Sequence, residues 1–440
     1  MLRTVQERAI LVGLEVRGRA GARTAAISDH LEYTIEESIE ELAVLAESAG
    51  ARVVDRIVQS RERPEAATLI GAGKVDEIAQ RAKAEDADVV IFDHDLTPTQ
   101  LRNLERALDS KVIDRTQLIL DIFARRARTR EGQLQVELAQ LNYLLPRLAG
   151  RGTQMSRLGG GIGTRGPGET QLETDRRRIA RRIARLEQDL EGVRSGRSVQ
   201  RRQRQAVPLA TAALVGYTNA GKSTLFNRLT GSEVLADARM FATLDPTVRS
   251  IVLPSRRRIL LSDTVGFIRS LPITLVKAFR ATLEEVIEAT LILHVVDVAS
   301  PHAEHQIAHV LKVLSEIGAA NTPQLLVLNK IDLAPGGHAD PEAMRRRILP
   351  SGHPELQPRG VAVSARTGQG TDALLAAVDE VLPFDPIVPA TFRFPAGEGA
   401  SISLLHELAR VKATRYEDDH TVVEADVPQS LKQRLSRYAV

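Results

Sequence analysis

Gly216-Tyr-Thr-Asn-Ala-Gly-Lys222-Ser223 places two glycines, a lysine and a hydroxyl at spacings suited to gripping a polyphosphate. The loop follows an apolar run, Leu209–Val215, that reads as a buried strand, and precedes Thr224–Leu229, which reads as a helix start. Glycine freedom lets the backbone of Gly216, Tyr217, Thr218, Asn219, Ala220 and Gly221 wrap an anion with N–H groups pointing inward. Lys222 then reaches the β- and γ-phosphates, Ser223 holds Mg²⁺, and Thr224 completes the binding set. The bland alternative is a chance glycine–lysine turn, and the strand before it and helix after it count against that.

Three further loops bear on which base is bound. Ser262-Asp263-Thr-Val-Gly266 follows the apolar strand Ile259–Leu261. An Asp at a strand end followed by a flexible Gly suits a metal-linked carboxylate and a backbone N–H on the γ-phosphate. Asn329-Lys330-Ile-Asp332 follows Leu325–Leu328, and its carboxylate can accept the paired N–H groups that guanine offers and adenine does not. Ser364-Ala365-Arg366 follows Val361–Val363, where a backbone N–H could meet the guanine carbonyl. Four loops in this order, each after a strand, resemble the signature set of GTPases.

The elements that must position these loops belong to a chain of 440 residues, long enough for about three domains. It is 43 % apolar but only 3 % aromatic and lacks Trp, so its cores must be built from Leu, Ile, Val and Ala. The absence of Cys excludes disulfides and thiolate metal sites. No apolar run approaches the ~20 residues of a membrane span, and no signal-peptide pattern opens the chain. The expected compartment is the cytoplasm. Between Arg125 and Arg204 stand 19 Arg, no Lys and eight Asp or Glu, a local +11 that leaves −8 for the rest of a chain of net +3. Arg without Lys favours forked contacts to phosphate and stacking on bases, which points to nucleic acid rather than to a solvated helix face or a genome that prefers Arg codons.

Residues 1–125 read as alternating strands (Ile10–Val16, Ala51–Val58, Val89–Phe92, Lys111–Ile113) and helices (Ile35–Ala49, Val75–Ala84, Pro98–Leu108), an α/β domain with a largely parallel sheet. Inside it, Gly71-Ala-Gly73-Lys74 precedes a helix without the full phosphate-loop spacing or a following hydroxyl, and a turn is the favoured reading over a second nucleotide site. Leu134, Leu138, Leu141, Leu145 and Leu148 form one helical stripe, which Pro146 should bend or end. Leu172, Ile179, Ile183, Leu186, Leu190 and Val193 form another, so 126–207 is expected to be an antiparallel helical hairpin whose stripes satisfy each other, with Gln200–Pro208 as a basic linker. Residues 208–384 read as the nucleotide domain with a doubly wound sheet. Residues 385–440 read as a small α+β docking module with strands near Thr391–Phe394, Lys412–Tyr416 and Thr421–Ala425.

Between the two stripes, Arg157-Leu-Gly-Gly-Gly-Ile-Gly-Thr-Arg165-Gly-Pro-Gly-Glu-Thr is far longer than a hairpin turn needs. Its glycines cannot build a core, but Gly159, Gly160, Gly161, Gly163, Gly166 and Gly168 would let the backbone approach a crowded RNA surface beside Arg151, Arg157 and Arg165. The run from Gly159 through Glu169-Thr-Gln-Leu-Glu-Thr-Asp-Arg176 resembles the signature of the HflX family of ribosome-associated GTPases. So do Phe241-Ala-Thr-Leu-Asp-Pro-Thr247 and Asp263-Thr-Val-Gly-Phe-Ile-Arg-Ser-Leu-Pro272. The resemblance extends over essentially the whole chain. It implies a cytoplasmic GTPase that binds the large ribosomal subunit and its rRNA and splits or rescues stalled or idle ribosomes. A monomer is the expected state.

GTP hydrolysis is phosphoryl transfer to water, in which positioning and electrostatics do the catalysis. Lys222, Thr243 and Gly266 are the expected catalytic groups; Ser223, Thr243 and, through water, Asp263 are the expected Mg²⁺ ligands. Thr243 and Thr247 both qualify as the switch threonine, and the family resemblance favours Thr243. Many GTPases place Gln directly after the Gly of the second loop, whereas here the Phe267 side chain can neither donate nor accept a hydrogen bond. Slow intrinsic hydrolysis is expected, with the ribosome, a switch backbone group or a cation positioning the water. In a subset of related GTPases an Asn at the position of Asn219 helps bind K⁺. The alternatives are an RNA-dependent ATPase or helicase-like remodeller using the Gly71 turn, a ribosome-assembly GTPase, and an RNA-binding scaffold that uses nucleotide only for stability.

Overall fold

The computed structural model describes residues 6–17, 34–148, 171–205, 209–232, 240–269, 280–333, 360–382, 385–395, 397–417 and 419–440. Three sheets organise them. The first holds β1 (Arg8–Val16), β2 (Arg52–Arg61), β3 (Val89–Phe92) and β4 (Lys111–Asp114) in the order β2-β1-β3-β4, all parallel. Alternation along β1 divides the core: Ile10 and Val12 face one layer of helices, Ala9 and Leu11 the other.

Helices α1 (Ile35–Ser48), α2 (Ala72–Ala84), α3 (Pro98–Leu108) and α4 (Arg115–Arg126) cover the two faces. Local sequence dictates their starts. Thr34 with Glu37, and Thr97 with Gln100, form reciprocal capping boxes, and Pro98 stands in the first turn of α3, where its missing N–H costs nothing. The sequence pattern missed α4, because it begins directly at the end of β4 with Asp114 as its cap and no loop to mark the change.

The arm is α5 (Arg130–Arg147) against α6 (Gln171–Gln205). Leu134, Leu186 and Leu190 form its seam, joined by Leu138, Leu141 and Val193, and Arg182 grips Glu137 through two bonds of 2.7 and 2.8 Å. Two expectations need correction. The helix runs to Gln205, through most of the stretch expected to be a linker, and Gln200–Gln205 extends the same Arg- and Gln-rich helix former. The arm also has a partner besides itself: Val136 and Ala139, off the leucine stripe, are buried in the N-terminal core with Phe123. As expected, α5 ends just past Pro146, with Leu148 as its cap.

The second sheet holds β5 (Thr211–Gly216), β6 (Thr247–Val252), β7 (Arg258–Asp263), β8 (Leu291–Asp297), β9 (Gln324–Asn329) and β10 (Gly360–Ala362) in the order β10-β9-β8-β5-β7-β6. It is parallel except for β6, an antiparallel edge strand. Helices α7 (Lys222–Thr230), α8 (Arg280–Ile287), α9 (Ala303–Glu316) and α10 (Thr371–Val381) belong to this part of the chain. Such a mainly parallel sheet sends its loops to one edge, at the carboxyl ends of its strands.

The third sheet, β11 (Ile387–Pro395), β12 (Arg410–Glu417) and β13 (His420–Pro428), is antiparallel in the order β11-β13-β12 and packs on α11 (Gly399–Leu408) and α12 (Gln429–Arg434) around Phe392, Phe394 and Leu405. No described helix is long and apolar enough to cross a membrane.

Candidate nucleotide-binding site

The loop after β5 turns back under the loop after β7. Thr218 N–H donates to the Phe267 carbonyl at 2.8 Å, and Phe267 N–H donates to the Gly216 carbonyl at 3.1 Å. The turn demands its glycines. A Cβ on Gly216 would meet the Val295 carbonyl oxygen at 2.2 Å, and Gly221 sits at φ +93° with the Asn329 side-chain nitrogen 2.3 Å from where a Cβ would be. Asn219 holds a left-handed φ of +61° at the exposed tip. Behind the turn, Lys222 is buried, and its ammonium is held by the carbonyls of Gly216 (3.2 Å) and Tyr217 (2.8 Å). Burial lowers its pKa to about 8, with Asp263 opposing the fall.

Ser223, Thr243 and Asp263 come together on the far side of that lysine. Ser223 Oγ and Thr243 Oγ1 lie 2.7 Å apart, and Thr243 Oγ1 donates to Asp263 Oδ2 at 2.7 Å. Thr247 instead opens β6, opposite Asp263 in the ladder. Asp263 is fully buried. Burial raises its pKa against the hydrogen bond from Ser223, the charge of Lys222 and the hydrogen bond from Thr243, while its Oδ1 has no hydrogen-bond partner. Two hydroxyls and a carboxylate with an unsatisfied buried oxygen form a hard oxygen donor set, which fits Mg²⁺. Thr218 Oγ1 is likewise buried without a partner beside the loop.

Gly266 closes the cleft from the second loop. A Cβ there would come within 3.0 Å of the Lys222 ammonium and 2.9 Å of Thr218 Cα, so only glycine allows the two loops to approach this closely. Phe267 points the other way, into the core with Val215, Leu283 and Val286. Phe241, Ala242 and Thr243 line the same cleft, a cavity of about 50 Å³, together with Lys222 and Ser223.

The base-side loops are tied to the phosphate side by one amide. Asn329 Nδ2 donates to the Ala220 carbonyl at 2.8 Å, and its Oδ1 accepts the Ala365 N–H at 3.0 Å. Asp332 accepts the Ser364 hydroxyl at 2.8 Å and pairs with Arg366 at 3.1 Å, which fixes the carboxylate's orientation. Lys330, at φ +66°, reaches Asp297 at 2.7 Å. The four loops predicted from sequence therefore share one edge of one sheet, and Thr224 lies in the first turn of α7. The predicted RNA-facing residues Arg151, Arg157, Arg165 and the glycines of 159–168 lie outside the described residues. Among the described residues no cluster of His, Asp and Glu suits a transition metal.

Sequence reasoning missed three features. Arg115 is buried at 2 % exposure between Glu41 and Asp93, whose Oδ1 it meets at 2.7 Å. Tyr217, within the phosphate loop, donates its hydroxyl to Glu41 and accepts the Arg269 N–H at 3.0 Å, while the Arg269 guanidinium reaches Ser38 and Asp93. His294 lies buried in β8, where burial first and then the charge of Lys222 push its pKa down to about 4. The only sequence signal was Asp93, an acid at the carboxyl end of a parallel strand, as Asp263 is.

Family models match residues 36–124 (GTP-binding GTPase N-terminal), 126–204 (GTP-binding GTPase Middle Region) and 211–330 (50S ribosome-binding GTPase). The chain is similar to the GTPase HflX of Caldanaerobacter subterraneus subsp. tengcongensis, 47 % identical over 405 residues that cover 92 % of this chain and 91 % of the relative. It is 46 % identical over 407 residues to the GTPase HflX of Escherichia coli, covering 92 % and 93 %. Among solved structures, a GTP-binding protein from the hyperthermophilic archaeon Sulfolobus solfataricus in complex with GDP aligns with 85 % of this chain and 98 % of its own at 25 % identity and a TM-score of 0.42.

Proposed function

The chain belongs to the HflX family of GTPases, and from that premise we propose that its GTP-bound form docks on the large ribosomal subunit and splits or rescues stalled or idle ribosomes in the cytoplasm. It binds GTP and GDP and hydrolyses GTP. The observation that carries the ribosomal reading is the match of residues 211–330 to 50S ribosome-binding GTPases, joined in one chain to an arm whose segment carries +11. The arm, together with the glycine-rich run that separates its two helices in the sequence, is the part assigned to rRNA. The working division is a domain of residues 1–125, the arm of 126–207, the GTPase domain of 208–384 and a docking module of 385–440.

In the proposed mechanism the amides of 216–224 and Lys222 hold the β- and γ-phosphates, and Asp332, with Asn329 bracing its loop, selects guanine. Ser223 and Thr243 would hold Mg²⁺ with Asp263 behind them, supplying charge neutralisation at the phosphates. The Gly266 N–H would bond the γ-phosphate. Because Phe267 is turned into the core, no side chain from that position orients the water. Placement of the attacking water falls to the docked ribosome, so hydrolysis by the free protein is slow; Asn219 would be the residue to hold a K⁺ ion, which would supply positive charge beside the phosphates.

Sedimentation through a sucrose cushion with separated subunits tests this reading. The protein is expected to pellet with the large subunit in a non-hydrolysable GTP analogue and to be released in GDP. Binding should weaken steeply with salt, since phosphate contacts release counterions. Equal pelleting with both nucleotides, or binding to the small subunit alone, would overturn it.

A further inference from the structure

Thr243 is held from both sides by parts of the molecule outside its own sheet. Two residues on, Asp245 Oδ2 accepts the N–H groups of Arg128 and Thr129, each at 2.9 Å, and its other oxygen accepts the Thr129 hydroxyl. Thr129 is the cap of α5, its own oxygen accepting the Gly132 N–H at 3.0 Å. The approach is close: a Cβ on Gly132 would stand 2.5 Å from Asp245 Oδ1. An acidic side chain from the switch segment thus sits at the positive end of the arm's first helix, where an anion is favoured.

Two residues back, Phe241 adopts φ +57°, a conformation that a bulky side chain takes only when its surroundings force it. Its ring packs edge-on against Phe123 of α4, with centroids 4.6 Å apart. Met240, Phe241 and Leu244 are all buried in the N-terminal core, and Met240 N–H donates to Ser48 at 3.1 Å. Only one residue separates Thr243 from each anchor, so the two anchors fix the backbone on both sides of its side chain. Phe241, Ala242 and Thr243 also line the cleft beside Lys222 and Ser223, so the anchored segment forms part of the site itself.

We propose that Asp245 is a positioning residue that ties the nucleotide switch to the base of the helical arm. With Asp245 seated on α5, Thr243 is presented to Ser223 and Asp263. Tilting α5 withdraws it, and by reciprocity closure on a triphosphate sets the arm's angle. The proposal rests on the reading of Thr243 as a ligand in the GTP-bound site.

Titration with fluorescent GTP analogue and GDP, both with Mg²⁺, separates the possibilities. Asp245→Ala should weaken the GTP analogue by about tenfold or more, the range for losing charge-assisted bonds, and leave GDP within about twofold. Asp245→Asn, which keeps an oxygen for the two N–H groups, should fall between the variant and the parent. Thr129→Ala, which keeps both N–H donors, should preserve the ratio of the two affinities. The chain has no Cys, so spin labels at Arg181→Cys on the exposed face of α6 and Val381→Cys at the end of α10 report the arm directly. Their distance distribution should differ between GTP analogue and GDP, and Asp245→Ala should erase the difference. Equal loss of both nucleotides, a lower Tm alone, or a label distance that ignores the nucleotide would overturn the proposal and leave Asp245 as a helix cap. Thr243→Ala is the control for the underlying reading. If it leaves GTP-analogue affinity unchanged, the ligand assignment fails. If it weakens the analogue while Asp245→Ala does not, only the anchor fails.

Discussion

Two glycine–lysine turns precede helices in this protein, and they are built differently. At Gly71 the backbone is extended, φ −68°, and its N–H is spent on the Gln59 side chain at 2.9 Å. The Arg61 guanidinium lies over the turn, 2.3 Å from where a Cβ would be, and Lys74 pairs with Glu77 at 2.6 Å on a partly exposed surface. At Gly221 the backbone is left-handed, the lysine is buried, and its ammonium is held by carbonyls of its own loop. A hydroxyl follows in Ser223 and meets Thr243 and Asp263 from other loops. Glycine and lysine alone do not make a phosphate site. The strand end that aims the loop, the left-handed residue that turns it and the acid on the neighbouring strand do.

The largest expected effect lies in what the first turn lacks, a base-reading loop. Asp332→Asn replaces an acceptor-only carboxylate by an amide whose NH₂ faces guanine's N–H groups. Two charge-assisted bonds are lost, so GTP affinity should fall on the order of 10³-fold. Xanthosine nucleotides, which offer an oxygen at that place, should gain affinity. Competition binding checks this, and unchanged GTP affinity would remove the distinction between the turns.

Burial is the second difference, and it has a pH signature. The His294 pKa of about 4 lies below its ordinary value of 6.5 because burial beside Lys222 disfavours the charged ring. The unfolded chain therefore binds the proton more readily. Stability from this group is complete above pH 6.5 and lost as pH falls towards 4, roughly 3 kcal/mol in all. Urea midpoints measured across that range should fall more steeply for the parent than for His294→Leu; parallel curves would show that the ring is not held neutral.

Paired substitutions sharpen the contrast further. Gly221→Ala must strain a left-handed backbone and displace Asn329, with a cost of about 1–3 kcal/mol and weakened GTP binding. Gly71→Ala meets the far end of the flexible Arg61 side chain, with Gln59 at an ordinary 3.4 Å, at a φ that alanine accepts, so stability should change by less than about 1 kcal/mol. Thermal melts and GTP titrations of both variants suffice, and matching losses would contradict the comparison.

The smallest effect concerns the cation. If Asn219 helps hold K⁺ beside the phosphates, ribosome-stimulated hydrolysis should run about threefold or more faster in potassium than in sodium at equal ionic strength, under 1 kcal/mol of barrier. Asn219→Ala should abolish the difference. Equal rates in both salts would leave Asn219 as a turn former and return water placement to the ribosome.

Local signals read well here. Apolar runs ending in Gly216, Asp263, Asn329 and Ser364 announced four loops, and parallel pairing brings all four to one edge because side-by-side strands end together. Leucine spacing announced the arm, and the alternation of strand and helix announced α1 and α3. Contacts between distant segments left no such trace. Glu41, Asp93 and Arg115 are separated in sequence and meet only because the β-α units stack, and a buried ion cluster has no spacing rule to betray it. Asp245 reads as one acid in a switch motif, yet its partners are backbone groups more than a hundred residues away. The antiparallel edge strand β6 was missed for a related reason: its alternation is mixed with Arg and Ser on an exposed face.

Equilibrium titration of the full-length protein with GTP analogue, GDP and an ATP analogue tests the contrast between the turns most directly. The expected result is one guanine nucleotide per chain and no adenine nucleotide, with binding lost in Lys222→Ala and unchanged in Lys74→Ala. A second equivalent of nucleotide, or binding that survives Lys222→Ala and disappears in Lys74→Ala, would place the working phosphate site at Gly71 and contradict it.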